Sequence, residues 1–188
     1  MTFGFLTDVH GDLEALRRAL QSLEGVDRIV CLGDVAGGPS VPECIELLRP
    51  HLAVCGNHDR WDFELMGLPE NARQYLVGLP VTLEEADFAA VHSDFERSGD
   101  EVFYFYVHSE FECRRLLDKL PHRLIFVGHT HLAQVHELNG QELGFFKARD
   151  RPAFDLSADR YVINVGAAPE CTAVYDTEAN RVAFNFFT

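Results

Sequence analysis

Five short segments of the 188-residue chain gather the side chains that bind metals. They are Asp8-Val9-His10, Gly33-Asp34, Gly56-Asn57-His58-Asp59, the single His92, and Gly128-His129-Thr130-His131. Carboxylates, imidazoles and one amide oxygen make a mixed oxygen and nitrogen donor set, which suits Mn²⁺, Fe, Zn²⁺, Ni²⁺ or Co²⁺. A calcium cage would draw almost entirely on oxygen, and a structural zinc site on thiolates. Along extended backbone, residues i and i+2 point the same way. Asp8 with His10, and His129 with His131, can therefore each aim two donors into one crevice. Gly33, Gly56 and Gly128 stand just before the polar residues, where a missing Cβ lets backbone and donor approach closely.

Each segment closes an apolar run. Residues 2–7, 28–32 and 51–55 read as buried strands. Between the first two, Leu13, Leu16, Leu20 and Leu23 recur at helical spacing, behind Asp12 as N-cap and before Gly25 as a stop. A second helix runs from Pro42 through Leu48, and Pro50 ends it. Strand, helix, strand, helix, strand predicts a parallel sheet covered by helices. Phe88–Val91 leads into His92, and Leu124–Val127 into Gly128. Ligands of open α/β sheets bind at the carboxyl ends of the strands, so the five segments are expected to meet at one rim. The helix behind Asp12 is expected to turn its N-terminus toward that rim and favour an anion there. Further on, residues 69–78 predict a short helix, residues 81–83 a strand, and Ser109-x-x-Glu112 a capping box that opens a helix through Leu120. From residue 134 onward, short apolar runs and turns such as Asn139-Gly140 predict antiparallel strands. His51, His108, His122 and His136 lack strand-end placement and read as structural or surface residues. The run Phe103-Tyr104-Phe105-Tyr106 reads as core or a dimer face rather than a base-stacking platform.

No linker, repeat or low-complexity tract divides the sequence, which predicts one domain over residues 1–188. A hydrophobic fraction of 47% and a charged fraction of 24% are those of a folded chain that buries a core, not of a disordered or collagen-like one. Sixteen basic against thirty acidic residues leave a net charge of −14 at pH 7. Such a surface repels polyanions, which argues against an extended nucleic-acid face or an anionic membrane patch. Small phosphorylated substrates stay open, because a cluster of metal ligands is acidic when empty and positive when filled. The five cysteines form no C-x-x-C pair and read as reduced core residues. With neither a leader sequence nor a membrane-spanning apolar stretch expected, the sequence predicts a cytoplasmic protein.

In this order, the five segments resemble the calcineurin-like metallophosphoesterase superfamily, whose motifs run D-x-H, G-D, G-N-H-D/E, H and G-H-x-H. The match spans the whole chain. Its short length, and Gly33-Asp34-Val35-Ala36-Gly37 followed by a Pro-Glu-Cys helix, are similar to the small single-domain phosphodiesterase branch. The resemblance implies an α/β fold in which a β-sandwich of two mixed sheets is flanked by helices, compatible with the α/β pattern and β-rich tail of the sequence. It also implies two divalent metal ions, the first held by Asp8, His10, Asp34 and His131, the second by Asp34, Asn57, His92 and His129, with Asp34 as bridge. His58 would bind no metal and would face the phosphate beside Asn57 as an acid catalyst. The implied reaction is hydrolysis of a P–O bond of a small phosphorylated substrate, a phosphodiester first, by a hydroxide bridging the two metals. A phosphomonoesterase or nucleotide pyrophosphatase with the same site is one alternative, and a non-catalytic protein-binding scaffold on the same fold another. The family also leaves room for a homodimer. This chain departs from the pattern in three places. Gly37 stands where larger relatives carry a second Asp, Ser93 stands where a Gly usually follows the fourth-motif His, and Asn164-Val165-Gly166-Ala167 replaces Asn-Pro-Gly-Ser. The first leaves open what orients His58, and the other two touch the wall of the site.

Overall fold

In a computed structural model, which describes residues 1–187, the apolar runs become strands whose two faces meet different partners. The first half contains β1 (Thr2–Leu6), α1 (Leu13–Ser22), β2 (Arg28–Cys31), α2 (Val41–Leu48), β3 (Leu52–Ala53), α3 (Asp62–Leu65), α4 (Glu70–Gly78), β4 (Thr82–Glu84) and β5 (Phe88–Val91). The second half contains β6 (Asp94–Ser98), β7 (Glu101–Phe105), α5 (Glu110–Lys119), β8 (Leu124–Val127), β9 (Gln134–Asn139), β10 (Glu142–Lys147), β11 (Ala153–Asp155), β12 (Arg160–Asn164), β13 (Cys171–Asp176) and β14 (Arg181–Phe186).

Two six-stranded mixed sheets result, in the orders β11-β14-β13-β1-β2-β3 and β10-β9-β12-β8-β5-β4, with β6 and β7 as a separate hairpin. The period-2 alternation of strands sorts their side chains. Phe3 and Phe5 of β1, with Phe88 of β5 and Leu124 and Phe126 of β8, fill the core between the sheets. There Phe5 stacks on Phe126 at 3.8 Å and Phe88 meets both rings edge-on. On the outer face of the first sheet, Leu6 and Cys31 pack against Leu16 and Ala19 of α1, Ile45 and Leu48 of α2 and Leu76 of α4. On the outer face of the second, Ala89, Ile125 and Val127 pack against Cys113, Leu116 and Leu117 of α5. Strands buried on both faces read as continuous apolar runs. The protein is therefore mixed α/β, a two-sheet sandwich flanked by helices, as the family resemblance implies.

The expected helix ends hold. Asp12 Oδ1 accepts from Ala15 N at 2.9 Å, and Ser109 and Glu112 close a reciprocal capping box. Several expectations need correction. The strand predicted over residues 51–55 is only Leu52–Ala53, because Cys55 N turns away to Pro80 O and Gly56 N to the Asp59 carboxylate. The tail is antiparallel except at β12, which lies parallel to β8 and inserts between it and β9. Residues 103–106 are not core. Phe103 and Tyr106 are about half exposed, and the run forms β7 and its exit. Neither that hairpin nor α3 is anticipated by the sequence reading. All five cysteines are buried and unpaired, and no helix among the described residues is long and apolar enough to cross a membrane.

Candidate metal centre

The carboxyl ends of β1, β2, β5 and β8, together with the loop after β3, converge where the two sheets share a rim. Asp8, His10 and His131 bring their donors together: His10 Nε2 lies 3.2 Å from His131 Nε2, and Asp8 Oδ1 lies 3.3 Å from the latter and 3.9 Å from the former. Alongside, His92 Nε2 stands 3.1 Å from Asn57 Oδ1, 3.1 Å from His129 Nδ1 and 3.3 Å from Asp34 Oδ2. Asp34 belongs both to this second group and to a third one with His10 and His58, in which single donor atoms all lie within 4.8 Å. The structure thus brings together Asp8, His10, Asp34, Asn57, His58, His92, His129 and His131. His51, His108, His122 and His136 do not line the cavity above them.

The donor chemistry fits cations. Asp8 is fully buried. Its Oδ2 accepts from Thr7 Oγ1 at 2.8 Å and from His129 N at 2.9 Å, while its Oδ1 has no hydrogen-bond partner. A buried carboxylate oxygen without a donor is costly unless a cation meets it. His92 Nδ1 lies 2.9 Å from Leu32 O. A carbonyl only accepts, so Nδ1 carries a ring proton, and Nε2 is the nitrogen that faces three further lone-pair donors. The same crowding attracts protons. Burial opposes charge on Asp34, yet the adjacent His92 imidazole holds its carboxyl down at about 2. Burial likewise disfavours charge on His92, but Asp34 raises it to about 10. His129 is lowered to about 4 by burial and then by His92, so it is neutral at pH 7 with a free lone pair.

Local backbone conformation aims these donors. Among the described residues, six non-glycine positions have positive φ, and five of them are Asp8, His10, Asp34, His129 and His131. This left-handed region is disfavoured for side-chain-bearing residues, although Asp, Asn and His tolerate it best. Close approach does the rest. A Cβ on Gly56 would lie 2.0 Å from Asp34 Oδ1, and one on Gly128 2.7 Å from Asp8 Oδ2, so both glycines make room for carboxylates as their placement suggests. Asp59, the last residue of its motif, is not a donor to the cluster. Fully buried, its carboxylate accepts from the N–H groups of Asp34, Val35, Ala36 and Gly56, each at 2.9 Å. Burial, then the charge of Asp34, pushes its pKa up to about 6 against these N–H donors. The α1 N-terminus does not serve the site, because Asp12 caps it and no α1 residue lines the cavity.

The cavity above the cluster measures about 640 Å³. One wall carries His10, Asp34, Asn57, His58 and residues 129–131, and the other carries Trp61 and residues 102–106. The sequence reading missed this second wall. Tyr104 Oη donates to Cys55 O at 2.8 Å, Tyr106 stacks on the His129 ring at 4.5 Å, and Ser93 Oγ donates to Phe105 O at 2.6 Å. One departure from the family pattern, Ser93, and one residue that keeps to it, Asn164, therefore have structural work to do. Ser93 ties β7 over the site, and Asn164 Nδ2 donates to Gly128 O at 2.7 Å and to Thr130 Oγ1 at 2.9 Å, steadying the loop that carries His129 and His131.

The model of the calcineurin-like phosphoesterase superfamily domain matches residues 1–178, and the chain belongs to that superfamily of metal-dependent phosphoesterases. Among solved structures, a metallophosphoesterase from Sphaerobacter thermophilus is 28% identical and aligns over all of this chain and 89% of its own, with a TM-score of 0.85. An archaeal phosphodiesterase aligns over the whole of both chains at 17% identity and a TM-score of 0.61. A Vps29 from Entamoeba histolytica does so at 14% and 0.57. These last two likenesses are of fold alone. No curated protein sequence matches the chain.

Proposed function

We propose that the protein is a phosphodiesterase that holds two divalent ions, one at Asp8, His10 and His131, the other at Asn57, His92 and His129, with Asp34 shared between them. The observation that carries this reading is the pair of lone-pair clusters flanking one buried carboxylate at the floor of an open cavity. Divalent ions bound there supply Lewis acidity, which polarises a phosphate ester and makes water acidic enough to attack near neutral pH.

The chain's own residues account for the rest. Asn57 contributes a neutral oxygen and so adds no charge beside the attacking water. His58 lines the cavity and is the group placed to donate a hydrogen bond to a phosphoryl oxygen or a proton to the leaving oxygen. The lining has no Lys or Arg among the described residues, and its far wall is Trp61 with Val102, Phe103 and Tyr106. A phosphodiester carries a single negative charge and a second organic substituent. That matches an uncharged, aromatic wall better than a monoester dianion or a pyrophosphate, which calls for additional cations. The intact donor set argues against a purely protein-binding scaffold. Five buried thiols without a disulfide support a reducing, cytoplasmic setting.

The test is to strip the protein of metal, refill it with Mn²⁺, Ni²⁺, Zn²⁺ or Mg²⁺, and assay chromogenic phosphodiesters and monoesters. Metal-dependent turnover with a preference for diesters is expected. A flat response to every metal would remove the catalytic reading, and a preference for monoesters would remove its substrate class.

A further inference from the structure

The position three residues after Asp34 is Gly37, so the motif itself offers nothing to hold His58. A Cβ built at Gly37, whose φ is +115°, would lie 3.3 Å from His58 Nδ1 and 3.0 Å from His10 Nδ1. A side chain there would meet this nitrogen directly, and glycine leaves it open. A different element meets it instead. Glu64 Oε1, on the four-residue helix α3, stands 3.1 Å from His58 Nδ1, with both side chains three-quarters or more withdrawn from solvent. Leu65, the next residue, is buried in the core beside α2 and α4 and anchors that turn. Trp61, which opens the turn, lays its ring 4.3 Å from the His58 ring, and His10 meets the same ring edge-on at 4.7 Å. The backbone N–H of His58 donates to Asp34 Oδ1 at 2.9 Å. The imidazole is therefore held by its backbone, by two neighbouring rings and by one nitrogen. A carboxylate only accepts, so the partnered Nδ1 carries a proton, and Nε2 is the nitrogen left to face the cavity.

We propose that Glu64 is the positioning residue of His58: its carboxylate receives the Nδ1 hydrogen bond and so presents Nε2 to the phosphate ester. The inference deepens the proton-donor reading of His58 given above and rests on it. Positioned proton donors matter most where the leaving oxygen is a poor one, because that oxygen departs only if it is protonated as the bond breaks.

The experiment uses metal-loaded protein and two diesters that differ in their leaving group, 4-nitrophenyl (good) and phenyl (poor). Glu64→Ala is expected to lower kcat for the phenyl ester by on the order of tenfold or more, a fraction of the ~10²-fold or greater effect of losing a general acid. The 4-nitrophenyl ester should change by less than about threefold, with KM and metal content as in the parent. Glu64→Gln keeps an accepting oxygen and should retain most of the activity. Glu64→Ala added to His58→Ala should cost nothing further, because a residue acting through another has no effect once its target is gone. Equal losses on both esters, or a loss in the His58→Ala background as large as in the parent, would overturn the assignment. If His58→Ala itself proves indifferent to the leaving group, the proton-donor reading falls. The double variant still decides whether Glu64 acts through His58.

Discussion

At the scale of single residues, the site is built from conformations that an unconstrained chain avoids. Asp8, His10, Asp34, His129 and His131 all sit at positive φ. Each such residue costs on the order of 1–3 kcal/mol and persists only where its surroundings over-determine it. Around Asp34 the determinant is Asp59, whose four backbone hydrogen bonds pin residues 34–36 against Gly56. Asp59→Ala would leave four N–H groups in the interior without that acceptor. The expected cost is about 3 kcal/mol or more of unfolding free energy, read from urea denaturation, together with weakened metal uptake. Unaltered stability would show that the loop holds its shape without this carboxylate. The donors themselves were legible in the sequence from residue types at strand ends. The i, i+2 argument needs correction, because Asp8, His10, His129 and His131 lie past the strands at positive φ and not on extended backbone. The role of Asp59 was not legible, because its partners are main-chain groups, and three of the four lie 23–25 residues upstream. Glu64 was equally silent, for it belongs to no motif and lies on a turn too short to show a period.

Among the secondary-structure elements, β1, α1, β2, α2, β5, α5 and β8 fall within a residue or two of where alternation, caps and breakers put them. Two elements that shape substrate access do not. Four-residue α3 lies below the length at which helical periodicity can be seen. The β6–β7 hairpin did carry a signal, since Gly99-Asp100 separates its strands and Gly99 has φ +62°. The sequence reading places no strands around that turn and takes the aromatic run beside it as core or a dimer face. In the structure the run is held over the cavity from outside, by Tyr104 on Cys55 O, Tyr106 on His129 and Ser93 on Phe105 O. Ser93→Gly removes only the last of these. It should speed amide hydrogen exchange across residues 94–105 and lower stability by about 1 kcal/mol, leaving α1 and α2 unchanged. Identical exchange in the hairpin would mean that this hydroxyl does not restrain β7.

For the molecule as a whole, the sandwich explains why distant segments meet. β1, β2 and β3 lie side by side in one sheet, and β5 and β8 in the other, so their carboxyl ends face each other across the shared rim. Apolar runs showed that these strands are buried on both faces, but not which sheet each would join. That division depends on long-range pairing such as β12 with β8, which no local pattern encodes. The strongly acidic chain, at −14, places a carboxylate at the centre of its donor clusters and no Lys or Arg in the cavity lining among the described residues. On the two-metal proposal, the positive charge that meets a substrate phosphate comes from metal ions. Anomalous diffraction from crystals grown with Mn²⁺ tests that most directly. Two peaks are expected on either side of the Asp34 carboxylate, one among Asp8, His10 and His131, the other among Asn57, His92 and His129. Side chains in place with no peak between them, or manganese bound only elsewhere, would contradict the account.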